Sequence, residues 1–281
     1  MKPVRLAIDH VTTYHFPGPV RQGLQRLRLT PVTSPGQTVI AWDIECEGAH
    51  VEVGYDDENL NRVTLVGIVP GARELTIRAH GLIETRDEAG VFGRHIGYLP
   101  LWHFTRATPL TRAGAGIAAL VDGLNGDAAH DRLATLHALT ARVREAVVYA
   151  PGHTDVATTA EGALTAARGV CQDQAHVFIA AARTLGIPAR YVSGYLAMDE
   201  REEQDAGHGW AEGFVEGLGW VGFDVANAVC PDARYVRVAS GRDYDEAAPI
   251  KGLTYTVPVG DEAKDVERMT ITLSVRALAT A

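Results

Sequence analysis

The stretch Gly169-Val170-Cys171-Gln172-Asp173-Gln174-Ala175-His176, which runs on into Val177-Phe178-Ile179-Ala180-Ala181-Ala182, constrains this chain more than any other. Ala175, Phe178, Ile179, Ala182 and Leu185 recur at helical spacing, and Gly186 followed by Pro188 supplies a stop, so the pattern predicts a helix from about Cys171 to Leu185. Cys171 falls in its first turn. Unpaired backbone N–H groups and the positive end of the helix dipole favour a thiolate there, the usual physical route to a nucleophilic cysteine. Asp173 suits the same turn as a dipole partner as well as it suits a substrate contact. His176, five residues beyond Cys171, points away from a pocket-facing sulfur and reads as a packing residue.

A nucleophilic thiol needs a base within reach, and the base needs a third group to hold its tautomer. After Pro188, Ala189 to Leu196 reads as a strand. The acidic run Asp199 to Asp205 reads as a solvated connection. Gly207 to Glu216, the turn Gly217-Leu218-Gly219 and Trp220 to Asp224 then read as a hairpin. Alternation puts His208, Trp210, Glu212 and Phe214 on one face, and Trp220, Gly222 and Asp224 on one face of the partner strand. His208 and Asp224 are therefore candidate neighbours at the open end, with the register left open by the turn.

The remaining chain supplies a frame for this site. Leu6 to Val11, Leu27 to Leu29, Val39 to Ile44, Val51 to Val53, Val63 to Val66 and Leu75 to Ala79 read as six strands, broken by turn residues at the spacing of a β-sandwich. His10 and His15 are expected at half-exposed strand positions and not as metal ligands, since neither has a second ligand at useful spacing. Residues 86–106 are irregular, and from Leu110 the pattern turns helical through Ile117, Leu120, Val121 and Leu124, then Leu133, Leu136, Leu139, Val143 and Val147. A loop at Tyr149 to His153 and a short helix opening at Thr159 lead to Gly169. The reading is an α+β chain: a β-rich domain over residues 1–85, then a catalytic domain over 86–281 in which helices pack on an antiparallel sheet.

Composition closes off other classes. A net charge of −9 and the lack of any basic run argue against a nucleic-acid or anionic-membrane binder. Three widely spaced cysteines, Cys46, Cys171 and Cys230, suit reduced thiols in the cytoplasm better than a disulfide framework, and Cys46 and Cys230 have no partner suggesting a role. No signal peptide or membrane span is visible at the N-terminus. A metal site drawn from Cys171, His176 or His208 is disfavoured because no compact ligand set exists, and no cofactor is expected.

Gly169 to Asp173, His208-Gly209-Trp210-Ala211-Glu212, Gly217 to Asp224 and Val236 to Tyr244 together resemble the bacterial transglutaminase-like family, which shares the papain-like cysteine-protease core and carries a β-rich domain ahead of it. The resemblance spans nearly the whole chain. It implies Cys171 as nucleophile, His208 as base and Asp224 as the orienting acid. The chain departs from the family pattern at Gln174, usually aromatic, at Gly209, usually Ala or another small residue, and at Val225-Ala226, where a Pro-Thr-like pair is usual. Gln174 and Gly209 are expected to alter the shape and polarity of the pocket.

The expected reaction is acyl transfer on a peptide or amide bond through a thioester, resolved by water or by an amine. Water is always present, so hydrolysis is the favoured outcome, with transamidation and a non-catalytic binding module on the same fold as alternatives. The Cys171 backbone N–H is one natural oxyanion donor, Gln172 or Tyr149 is the candidate second, and Trp210 and Trp220 are core or pocket wall.

Overall fold

The structure is a computed structural model that describes residues 3–124, 128, 130–198, 201–257 and 267–278. In chain order its strands and helices are β1 (Val4–His15), β2 (Val20–Thr30), β3 (Gln37–Glu47), β4 (Ala49–Asp56), β5 (Arg62–Ile68), β6 (Glu74–Thr85), β7 (Val91–Gly93), α1 (Ala115–Leu120), α2 (Arg132–Ala146), β8 (Val148–Tyr149), α3 (Ala160–Ala166), β9 (Arg168–Gly169), α4 (Cys171–Thr184), β10 (Ala189–Leu196), β11 (Glu203–Gln204), β12 (His208–Val215), β13 (Gly219–Phe223), β14 (Tyr235–Gly241), α5 (Tyr244–Ala247), β15 (Ile250–Thr256) and β16 (Arg268–Leu278). The six strands expected from alternation are all present. Along β1 the buried positions are Leu6, Ile8, His10, Thr12 and Tyr14, the two-residue period that puts one face of a strand into a core.

Two of the sheets form the sandwich, ordered β11-β16-β1-β6-β3 and β15-β2-β5-β4. Tyr14, Leu27, Leu29, Val66, Leu75 and Ile77 from both sheets fill the space between them. A division at residue 85 leaves out part of this unit. The last two strands return to it, β15 pairing with β2 and β16 with β1, both antiparallel. Segments so distant in sequence are joined by inter-strand hydrogen bonds, which no local pattern records. In the acidic connection, Asp199 and Glu200 lie outside the described residues. Glu203 and Gln204 are no solvated loop: they pair with Ser274 and Leu273 of β16, and the buried Gln204 donates its side-chain N–H to Leu196 O at 2.7 Å.

The third sheet, ordered β14-β10-β12-β13-β7, is the core sheet. One side packs on α4 and α2 through Ala189, Tyr191, Ala211, Val221 and Phe223, against Val177, Phe178, Ile179, Leu136 and Leu139. Leu6, Ile8, Ile83, Leu273 and Val275 of the sandwich meet Tyr195, Val236 and Val238 of the core sheet in a separate cluster. His10 belongs to this joint. It is 5% exposed, not half-exposed, because it shares the inward face of β1 with Leu6 and Ile8, and its Nδ1 lies 3.0 Å from the Tyr195 hydroxyl. Burial first, opposed by the charge of Asp9, brings its pKa down to about 4, so it stays neutral. His15 lies at the surface beside Glu74.

The free edge of β14 is closed by two amide side chains from the sandwich. Gln37 exchanges hydrogen bonds with Arg237 N and O at 2.8 and 2.9 Å, and Asn61 does the same with Ser240 N and O at 2.8 and 2.8 Å. Both amides therefore act as a substitute strand at an edge that would otherwise expose its backbone groups. Asn61→Ala leaves two buried groups of Ser240 unpaired and is expected to lower stability by about 1–3 kcal/mol, read from the denaturant midpoint.

Candidate active site

Helix α4 begins at Cys171, as its periodicity predicts. Its cap residue, Val170, has no side-chain acceptor, and the turn is closed from the other direction: Asp173 Oδ2 accepts from Val170 N at 2.7 Å and from Thr154 Oγ1 at 2.7 Å. The side chain thus folds back over Gly169, where an added Cβ would stand 2.6 Å from both Asp173 Cβ and Oδ2. This explains the glycine two residues before the cysteine. Burial pushes the Asp173 carboxyl up, against the opposing hydrogen bonds of Thr154 and Val170. The carboxylate serves the helix start and is 1% exposed.

His208 opens β12. Its Nε2 lies 2.7 Å from Asp224 Oδ2, and its ring stacks on Trp210 at 6.2 Å between centroids and 28° between planes. Cys171 is, after Asp224, the other group that favours the charged form of this imidazole. Burial by itself would lower the pKa of this imidazole. The hydrogen bonds of Asp224 and Cys171, followed by their charges, reverse that and raise it to about 10.

Asp224 follows β13, held by a bridge to Val229. It is fully buried, and four donors converge on it: His208 Nε2, Asn227 Nδ2 at 2.7 Å and the Tyr235 hydroxyl at 2.7 Å on Oδ2, with Asn227 N at 3.3 Å on Oδ1. Burial would raise its pKa, but these contacts, led by His208, hold it below the usual carboxylate value. Sequence reasoning missed Asn227 and Tyr235. Asn227 had a signal, a short polar side chain three residues past an aspartate at a strand end; Tyr235 had none, because it arrives from another strand.

The other candidates separate. Tyr149 pairs with Gly169 across the short parallel β8–β9 ladder, which brings it beside the helix start. It is 53% exposed, and burial, then the charges of Cys171 and Asp224, push its phenol up. Gln172 is half-buried next to Cys171. Gln174 is buried, and its Nε2 donates to Val147 O at 2.7 Å, tying α4 to the residue before β8, while its Oε1 is buried without a partner among the described residues. Trp210 is buried as the support under His208, and Trp220 lies deeper, donating to His95 Nδ1 at 3.2 Å. His176 is a packing residue, fully buried, whose Nε2 accepts from Tyr244 N at 3.0 Å; burial, then Arg183, lowers its pKa to about 3. Cys46 and Cys230 are unpaired, and burial pushes both thiols up. Glu212, on the same strand as His208, is spent on Arg190 at 2.6 Å and Arg237 at 3.0 Å, a buried bridge across β10, β12 and β14.

A strand-rich N-terminal region joined to a core with cysteine, histidine and aspartate at these positions defines a transglutaminase-like architecture. Sequence comparison agrees: residues 118–225 match the transglutaminase-like superfamily, and residues 6–84 match the bacterial transglutaminase-like N-terminal region. An uncharacterized protein of Mycobacterium leprae is 30% identical over 263 residues, covering 89% of this chain and 92% of that protein. One from Mycobacterium tuberculosis is 27% identical over 278 residues, covering 90% and 88%. The chain belongs to the bacterial transglutaminase-like family. A crystal structure described as that of a candidate cysteine protease from Cytophaga hutchinsonii shares the fold, with a TM-score of 0.74 over 100% of this chain and 93% of its own at 19% identity.

The raised pKa of His208 has a definite sign. Its charged-state stabilisation is fully present below the ordinary histidine value of 6.5 and is lost as pH rises through about 10. In an NMR titration the His208 imidazolium should persist to about pH 10, and Asp224→Asn should lower the midpoint by about one unit or more. A parent midpoint near the ordinary value would contradict this account of the site.

Proposed function

We propose that the protein is a cysteine-dependent enzyme that transfers acyl groups from peptide or amide bonds through a thioester, with water as the ordinary acceptor. The observation that carries this reading is the His208 ring, bonded to a buried carboxylate at one nitrogen and interacting with Cys171. The family and the shared fold of the Cytophaga protein, described as a candidate cysteine protease, support the same class.

In the first step the Cys171 thiolate attacks the carbonyl carbon, and the carbonyl electron pair moves to oxygen. Backbone N–H groups at the start of α4 stabilise that oxyanion, with Gln172 or Tyr149 as the candidate second donor. Collapse breaks the C–N bond as His208 gives its proton to the leaving amine, leaving a thioester and a neutral imidazole. His208 then takes a proton from water, hydroxide adds to the thioester, and the acid leaves with the thiolate and imidazolium restored. Asp224 keeps its charge throughout and holds the ring. A primary amine entering in place of water would give transamidation.

The partner is thus a peptide or amide substrate, with no cofactor needed. The net charge of −9 supports no role for nucleic acid or anionic membrane, and among the described residues no helix is long and apolar enough to cross a membrane. Three unpaired thiols support a reducing compartment, the cytoplasm.

Amide and peptide substrates screened with and without an added primary amine test the reading. Turnover should fall by about 10⁴-fold or more in both Cys171→Ala and His208→Ala, and intact mass should show an acyl adduct on Cys171. Amine incorporation outrunning hydrolysis would make the protein a transamidase. Turnover that survives Cys171→Ala would move the nucleophile elsewhere.

A further inference from the structure

A cavity of about 70 Å³ opens between the turn that joins β2 to β3 and the side of the core sheet turned away from α4. Trp210, Glu212 and Gly222 line it, the residues that alternate with Ala211, Val221 and Phe223 of the helix-packed side. Cys171, His208 and Asp224 are not among its walls, so it is a space distinct from the candidate active site. It has room for roughly five water molecules, or for an organic molecule of similar size.

Its floor is charged. Glu212, 2% exposed, takes Arg190 at 2.6 Å and Arg237 at 3.0 Å. Burial by itself would raise the Glu212 pKa, but Arg190 and then Arg237 hold it below the usual carboxylate value. The three groups therefore carry one positive charge in excess, away from water, where an unmatched charge is costly. The other charged residues of the wall leave that excess in place: Asp232 is matched by Arg234 at 2.7 Å, and Arg86 and Glu88, both exposed, are of opposite sign.

Unfilled donors mark the same place. Arg190 Nη2 is buried without a hydrogen-bond partner among the described residues. Arg237, which lines the cavity, donates through Nε to Glu212 and has no hydrogen-bond partner at either Nη among the described residues. Both guanidinium groups stack on rings, Arg237 on Phe92 at 4.4 Å and Arg190 on Trp220 at 4.1 Å, contacts that use the face of the cation and leave its N–H edge open. Burial, against Glu212, and then Arg237 bring the Arg190 pKa down to about 10, as expected of a cation short of anions.

We propose that this cavity is a binding site for a small carboxylate, whose single negative charge neutralises the Arg190–Glu212–Arg237 group and whose two oxygens accept from the open Nη pair of Arg237. Phe92, Pro231, Trp210 and Tyr235 supply apolar wall for its carbon chain. A ligand here touches the residues that hold the catalytic pair, since Trp210 stacks on His208 and Tyr235 donates to Asp224. The site does not depend on the thioester reaction.

The test uses butyrate as the probe and butyramide as its neutral counterpart, each titrated by NMR into the parent, Cys171→Ala, Arg237→Gln and Arg237→Lys. Butyrate should bind at least about tenfold more tightly than butyramide, equally in the parent and in Cys171→Ala, and should shift the Trp210 indole N–H. Arg237→Gln should weaken butyrate by about tenfold or more. Arg237→Lys keeps the charge and so tests the site if Arg237→Gln does not fold; it loses the paired donors and should weaken butyrate by about threefold or more. Equal affinity for the two probes, undiminished butyrate binding in either folded Arg237 variant, or loss of binding in Cys171→Ala would overturn the site. Because no turnover is measured, a failure here leaves the proposed enzyme standing, and an inactive protein that binds butyrate leaves the site standing.

Discussion

The buried carboxylate of Asp224 is the constraint on which the site depends. A charge removed from water is costly unless its lone pairs are filled, and here His208, Asn227 and Tyr235 fill them. The same contacts decide the state of the histidine. With one ring nitrogen fixed on a carboxylate held below the usual carboxylate value, the imidazolium is favoured, and Cys171 favours it further. A cysteine at a helix start has the dipole and free N–H groups on its side; the charged imidazole adds an opposite charge across the cleft.

The rest of the fold holds this geometry in place. Tyr235 stands at the start of β14, and that strand is fixed from outside by Gln37 and Asn61 of the sandwich. The sandwich in turn is completed by β15 and β16, which follow the site in sequence. The chain therefore closes on itself around the core sheet, and the β-rich region holds the edge of β14. On the helix side, Gly169 makes room for the Asp173 side chain and Gly209 for the Tyr191 hydroxyl, so the helix start and the histidine strand each owe their local geometry to a missing side chain.

Much of the site is legible in the sequence because its main determinants are local. The apolar spacing after Cys171 fixes a helix, and two alternating runs about a glycine-rich turn mark a hairpin that makes His208 and Asp224 candidate neighbours, its register open until the strands are paired. What the sequence leaves hidden depends on long-range pairing. Nothing near Tyr235 says that its hydroxyl reaches Asp224, nothing near residue 268 says that its strand lies beside β1, and His10 looks like an ordinary strand residue until Tyr195 is placed against it. Gln174 is tied by a partner that no local pattern names, the backbone of Val147. Asn227 is the exception that spacing could have revealed.

The central claim, an ionised sulfur paired with a charged imidazole, is tested most directly by the rate of Cys171 alkylation with iodoacetamide as a function of pH, followed by intact mass. A thiolate held by His208 gives a fast rate that stays flat from about pH 6 to about pH 9. A slow rate that climbs through the ordinary thiol midpoint of about 8.5 would contradict the account.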